Sequence, residues 1–547
     1  MPSSAFATGR FASTTVCGCF PPRPPPPSTP CPACGLLTPL PLDALSLADR
    51  HATLTSLPPN TPLALYGHAF LLSPLHARPP AIAQWRARGD ALADAALASL
   101  AASHTPPTAA ALRLAAAAGD AACAALLASA TTLPPWADAA RMARGGRVWF
   151  ENAPVLGTAL LNLSLLGGFG ASELNAVLVA AGGLLGSRAS VHQRITETLQ
   201  FVNDVCAAGG LLPGGAGQAA VLSVRLLHAR ARARVLASAK TGGTCPYGFG
   251  PSPPSAAPAS PAPTPISAGD LLVTQLAFSL VMFMGAERAG LLWHVPAAAL
   301  GDALHLWGVA GVLLGVPDEP ALTAAAAAGS LPGAQALLEA LVCHLAQPGP
   351  STRPLLLASL RAVAYRFPTG WSPAQHADVS AALAGPLYAR ALGLGDCSRE
   401  ALRAAGEEAL RCSREEAAAG GGGGGGSGGG RGGGGGAWVL LRGGAWVLRA
   451  VGAAVGPTWA IVWAAWAAIL GKGWRWRRRS SSSSDCVEDD CEAAAARGRA
   501  LLAPLAVYPY ICAALPRFLR ERLARANEAF LVALVAKRLG GRAAWAP

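Results

Sequence analysis

The sequence predicts an all-α protein, a single large helical bundle with a disordered leader and low-complexity inserts, and three observations point there. Hydrophobic residues make up 52% of the chain, and Ala and Leu dominate them, whereas Val, Ile, Tyr and Phe are comparatively scarce. Ala and Leu favour helices, and the scarce types are those that strands prefer. Charged residues account for only 13%, against roughly 25% in ordinary soluble domains. So apolar a chain needs an extensive buried core or a membrane. Third, from Asp43 to about Ala418 the apolar runs are broken at intervals by Gly and Pro, as helices separated by turns would be.

From Met1 to Leu42 there is no Asp or Glu, while Ser, Thr, Pro and two arginines are present. That composition fits an organelle transit peptide as well as a plain disordered leader. Cys17, Cys19, Cys31 and Cys34 lie here among prolines. A zinc site would need such pairs on a folded loop, so they are read as part of the leader. The helical domain is placed at 43–418, with Pro246 to Pro265 as a Pro/Ser/Ala insert that cannot be helical. Residues 419–436 are almost pure glycine and form a tether. With no Gly-Lys-Ser/Thr closing it, the run is not a phosphate loop.

Beyond the tether, 437–547 is read as hydrophobic C-terminal helices. Ala450 to Leu470 carries no charge over 21 residues (470 − 450 + 1) and is followed by Lys472, Arg475 and Arg477 to Arg479. The length suits a transmembrane helix with a basic flank on the cytosolic or stromal side. An Ala-rich helix buried in the protein accounts for it equally well. The formal charge of +13 raises nucleic acid as a partner, but no recognised nucleic-acid module is present, so that class is set aside. Thirteen cysteines without a repeating frame exclude a disulfide scaffold.

The chemistry concentrates between Gln193 and Lys240. Arg194 and Thr198 are four apart and share a helix face that Phe201 and Val205 continue, until Gly209, Gly210 and Pro213 end the helix. A second helix is expected over Gln218 to Lys240, where Val221, Val224, Ala231 and Val235 form an apolar stripe that includes His228. Periodicity alone leaves His228 as either a hydrogen-bonded core residue or a metal ligand.

The wording of this region resembles the mpaB/rubber-oxygenase catalytic domain. Its Arg-x-x-x-Thr helix is matched by Arg194-Ile-Thr-Glu197-Thr198. Its Leu/Ile-His-Ala-x-x-Arg helix is matched by Leu227-His228-Ala-Arg-Ala-Arg232, thirty residues on (228 − 198). Arg88-Gly-Asp90, Ala93-Asp94, Leu133-Pro-Pro-Trp136 with Arg141 and Arg144-Gly145, Gly269-Asp270 with Phe278, and Trp307 followed by Gly311 and Gly315-Val are similar to further family elements. The likeness covers about Asp90 to Glu319, with an echo at Tyr508-Pro-Tyr510.

The resemblance implies a helical bundle enclosing a haem b pocket, with His228 as the proximal iron ligand. It implies Arg194 and Arg232 as partners of the haem carboxylates, with Arg225 a weaker choice, and Thr198 as a hydrogen-bonding residue of the pocket. Dioxygen would be the co-substrate, and the reaction oxidative cleavage of a C=C bond in a hydrophobic prenyl-type substrate. A distal carboxylate base is expected, for which Glu197 and Glu173 are the nearest acids. In the latex-clearing branch a lysine that can cap the iron usually precedes the threonine; here that residue is Glu197. His294, His305 and His344 are alternative second ligands. The expected location is a membrane of an organelle, plastid or endoplasmic reticulum. Two other readings stay open: a non-catalytic haem-binding protein, and a haem-free, membrane-associated helical protein.

Overall fold

The computed structural model describes residues 36–240, 262–319, 322–323, 328–366, 369–394, 399–419, 489–515 and 517–539. The four N-terminal cysteines, most of the Pro-rich insert, the glycine run and the apolar stretch 450–470 lie outside the described residues, and with them the transit-peptide and transmembrane expectations. The described chain is all-α apart from one small sheet.

That sheet occupies the end of the stretch read as a disordered leader, at Leu40–Pro41, and the start of the region read as helical. Leu40–Pro41 runs parallel to Pro62–Leu65, which pairs antiparallel with His68–Leu71. The turn between the last two strands places Tyr66 and Gly67 at positive φ, 47° and 85°, as a two-residue hairpin turn requires. Four-residue strands carry too little period for sequence to reveal them. Leu63, Leu65 and Phe70 pack with Leu42, Leu54 and Cys343, so the sheet lies over the helices Leu47–Ser56 and Leu331–Leu345.

The chain divides into two compact units. The first comprises Met1–Gly182 and Phe201–Thr352 with Ala544–Pro547, the second Gly183–Gln200 and Arg353–Ala543. In the first unit the helix Ala297–Leu313 is buried along nearly its whole length, from Leu300 to Leu313. A helix apolar on all sides belongs in the centre of a bundle. The helix Ala139–Glu151 crosses it where Gly145 leaves room for the Asp302 carbonyl, a place with no space for a Cβ. A second cluster joins the helices Ala91–Ala102, Ala109–Ala117, Ala121–Thr131 and Ala216–Lys240 through Ala93, Ala96, Leu112, Leu126, Leu222 and Leu226. Alanine at the crossings lets these backbones approach closely, and leucine fills what remains.

Two helices of this unit, Ala153–Gly168 and Ala268–Arg288, each contain a π-helical turn, at Leu160–Leu165 and Ala277–Val281. The two turns pack on each other. Ala268–Arg288 is also the one helix among the described residues long and apolar enough to cross a membrane, and most of it is buried inside the fold.

In the second unit Pro373–Ala384 packs along Asp489–Leu502. Gly498 sits against the Asp378 carbonyl with no room for a side chain, and Arg497 pairs with the Asp378 carboxylate at 2.9 Å. Residues from both sides of the glycine run therefore share one unit.

Candidate functional site

Both chemistry-bearing helices form where their spacing predicts, as Arg188–Cys206 and Ala216–Lys240. The buried face of the second differs from the expected stripe. Val221 and Val235 are buried, but Val224, His228 and Ala231 are only half-buried. The most enclosed face runs through Leu222, Arg225, Leu226, Ala229 and Arg232. Two arginines on a core face are tolerable only when each has a counter-charge.

Each has one. Arg225 makes a two-pronged contact with Asp90, Nε to Oδ2 at 2.8 Å and Nη2 to Oδ1 at 2.9 Å. Its Nη1 donates to Ser129 Oγ and to the Leu313 carbonyl. Arg232 makes the same kind of contact with Asp94, Nε and Nη2 each reaching Oδ1 within 3.0 Å, and its Nη1 donates to the Ile266 carbonyl. The partner helix, Ala91–Ala102, begins with Asp90 as its N-cap, accepting from the Ala93 N–H, and carries Asp94 in its first turn. Both carboxylates thus also meet the positive end of a helix dipole.

Around these pairs several separate sequence elements converge. Gly315, at φ 102°, would place a Cβ 2.8 Å from Asp90 Oδ2 and 3.3 Å from Arg225 Nε, so only glycine fits. Gly89 lies beside the Arg232 side chain. The strap Thr264–Ala268 is pinned by Thr264 N–H to the Arg86 carbonyl and Ala268 N–H to the Arg88 carbonyl. Gly89-Asp90, Asp94, Gly315 and the two arginines therefore form one assembly on the helix that carries His228.

His228 stands between the pairs, three residues after Arg225 and four before Arg232. Its ring is enclosed although the residue as a whole is half-buried, and Nδ1 is buried without a hydrogen-bond partner. Burial, helped by the Arg232 charge, pushes its pKa down to about 4. The imidazole is neutral at physiological pH and has a nitrogen lone pair to offer, as a metal ligand must.

The other expected residues lie in the second unit. Arg194 Nη1 donates to Glu197 Oε2 at 3.0 Å, Gln193 donates to the other Glu197 oxygen at 2.8 Å, and the Thr198 hydroxyl donates to the Arg194 carbonyl. The Arg194 side chain is 47% exposed. Glu173, in the first unit, is held by Arg86, whose Nε also faces Asp270 at 3.6 Å. Burial raises the pKa of Asp270, a rise that Arg86 opposes. Both acids considered as a distal base are therefore tied to arginines.

Several of the other expected residues already have partners in the fold. Arg232, expected to meet a haem carboxylate, already holds Asp94, and Arg225 likewise holds Asp90, because a buried guanidinium requires an anion in the fold itself. Of the alternative histidine ligands, His305 and His294 have hydrogen-bond partners, whereas His344 has a stacking contact and, like His228, a buried Nδ1 without a partner. His305 Nε2 accepts from the Asp138 N–H, His294 Nε2 lies 3.0 Å from Asn152 Oδ1, and His344 stacks on His51 with ring centroids 3.8 Å apart. Among the described residues no three His, Cys, Asp or Glu side chains are grouped to hold a metal ion.

Residues 155–414 match the model of the ER-bound oxygenase mpaB/B'/rubber oxygenase catalytic domain. These 260 residues (414 − 155 + 1), just under half of the 547, are matched as a catalytic domain of the mpaB/rubber-oxygenase family. The family domain takes in His228, Arg194, Glu197 and Thr198, whereas Asp90 and Asp94 precede it. A solved structure, that of latex clearing protein LCP in the closed state, is similar at 21% identity and a TM-score of 0.36. The match covers 48% of this chain and 64% of that one, so the chain spans less than two thirds of the length of that relative. No curated protein matches the chain.

The role of Asp90 and Asp94 was not assigned from sequence, although a signal existed. Two aspartates four apart at a helix start complement two arginines seven apart on another helix. The family resemblance offers those arginines a haem carboxylate as partner, and nothing in their own helix points to the aspartates that neutralise them.

Proposed function

We propose that this chain is a haem b-dependent oxygenase that cleaves a C=C bond of a prenyl-type substrate, with His228 as the protein ligand of the iron. The observation that carries the reading is the His228 imidazole: enclosed, neutral, and inside the family-matched residues. A haem brings its own four ring nitrogens and needs one such imidazole from the protein. A bound haem would supply the iron at which dioxygen is activated. The remaining chemistry falls to the chain.

Adding one O2 across one C=C gives two carbonyl ends, an aldehyde and a ketone for a trisubstituted prenyl bond, with no atom left over. What the protein must contribute is an apolar, water-poor space that aligns the chain. Arg194 pairs with Glu197 on its own helix, and its role towards a haem carboxylate rests on the family resemblance alone. Glu197 replaces the lysine of the latex-clearing branch, so the iron-capping closed state of that branch has no counterpart at this position. Thr198 orders the backbone of the same turn through the Arg194 carbonyl. The acid-free leader and the apolar stretch 450–470 support a location at an organelle membrane and a substrate delivered from it.

The test is oxygen uptake by the purified chain with a linear polyprenyl substrate, with carbonyl products identified by mass spectrometry. Uptake matched by paired aldehyde and ketone products supports the reading. Haem binding without uptake would mark a non-catalytic haem protein.

A further inference from the structure

A haem-ligating histidine ordinarily donates its second ring N–H to a carboxylate or a carbonyl, and that bond fixes the plane of the ring. His228 has no such bond, since Nδ1 is buried without a partner. Something else must orient it. The side chain's direction is set by the rotation of its helix about the axis, and Arg225 and Arg232 bracket His228 at i−3 and i+4 on adjoining rows of that helix.

Both arginines are clamped to a single neighbouring helix, at Asp90 and Asp94, one turn apart. Two-pronged arginine–carboxylate contacts are geometrically demanding. A rotation of the helix would misalign both at once and leave charges buried and unpaired. Leu226 packs in the apolar layer between the same helices but fixes no angle, because apolar contacts are non-directional.

We infer that Asp90 and Asp94 are positioning residues for His228, acting through Arg225 and Arg232 in place of a hydrogen bond to Nδ1. The inference rests on the reading of His228 as the iron ligand. It extends that reading to two residues outside the family-matched domain. It also makes the ring's orientation a property of two ion pairs.

The experiment compares the full-length chain with Asp90→Asn, Asp94→Asn, Asp94→Glu and Leu226→Ala. Ferric electron paramagnetic resonance and haem retention are read in the loaded protein. Diethylpyrocarbonate labelling of His228, followed by peptide mass spectrometry, is read in the haem-free protein. Leu226→Ala serves as the control that weakens the same helix contact without touching either ion pair.

Both Asn variants should show altered ferric signals, haem retention weaker by about tenfold, and a changed labelling rate at His228. Asp94→Glu should restore a wild-type signal. Leu226→Ala should lower the melting temperature yet keep the wild-type signal and labelling rate. Wild-type signals and labelling in folded Asn variants would overturn the inference, as would Leu226→Ala reproducing their changes. Should Asp90→Asn fail to fold, Asp94→Asn, with its more exposed carboxylate, decides the matter. If the wild type takes up no haem, the oxygenase reading falls separately, and the labelling rates still decide whether the ion pairs orient His228.

Discussion

Arg225 and Arg194 are both arginines facing an acid, and the two pairs have opposite characters. Arg225 is 2% exposed and its partner Asp90 8%, while Arg194 is 47% exposed and pairs with an acid three residues away on its own helix. The first pair joins distant parts of the sequence and cannot be dissolved by water. The second is local, with its guanidinium half in water although Glu197 is only 15% exposed. A buried guanidinium is part of the architecture and its carboxylate is committed, whereas a surface one stays available to a ligand. By that criterion Arg225 is committed to the fold, and Arg194 is the guanidinium that water can reach.

The contrast can be broken by removing each acid in turn. Asp90→Asn strands the Arg225 charge in the core and should cost about 3–5 kcal/mol of stability, read from denaturant unfolding. Asp94 is 45% exposed, so water can partly replace it, and Asp94→Asn should cost only about 2 kcal/mol.

Acid sharpens the same point without mutation. Burial drives His344 and His376 down to about 3, and His192 to about 2, all below their ordinary 6.5. These groups are neutral in the fold but protonate near pH 6.5 when it opens. The unfolded state therefore binds more protons as pH falls, and stability drops below pH 6.5 towards those lower values. The slope is of the order of 1 kcal/mol per pH unit for each histidine. A melting temperature that is flat from pH 8 to 6.5 and falls steadily below it is the expected profile. Glu339 behaves as an acid instead. Burial raises its pKa, but hydrogen bonds with His68 and His76 more than offset that and hold it at about 2, so its contribution is kept above about pH 4.5 and lost as pH falls through 2. Smallest of all, Glu197→Gln should change stability by about 1 kcal/mol or less, because the partner Arg194 is 47% exposed and can be rehydrated.

The helices were legible where a long period met a clear stop. The 30-residue spacing from Thr198 to His228, and Gly209, Gly210 and Pro213 between, located both chemistry-bearing helices to within two residues at the second one's start. The face of that helix was not legible. Arg225 and Arg232 look like solvent residues in any apolar pattern, and only the distant Asp90 and Asp94 turn them inward. The sheet at Leu40 to Leu71 escaped because its strands are two to four residues long and draw their order from helices far along the chain. The family could be read from motif wording, which also offers His228 as the ligand in the proposed function. The commitments of Arg232, Glu173 and Glu197 depend on tertiary partners that no local spacing announces.

The most direct test of the account is the absorption spectrum of the purified full-length chain beside His228→Ala, with haem quantified by the pyridine haemochrome method. The account predicts a b-type Soret band near one haem per wild-type chain and its collapse in the variant. A wild type that takes up no haem even after reconstitution, or a variant that keeps the wild-type spectrum, would contradict it.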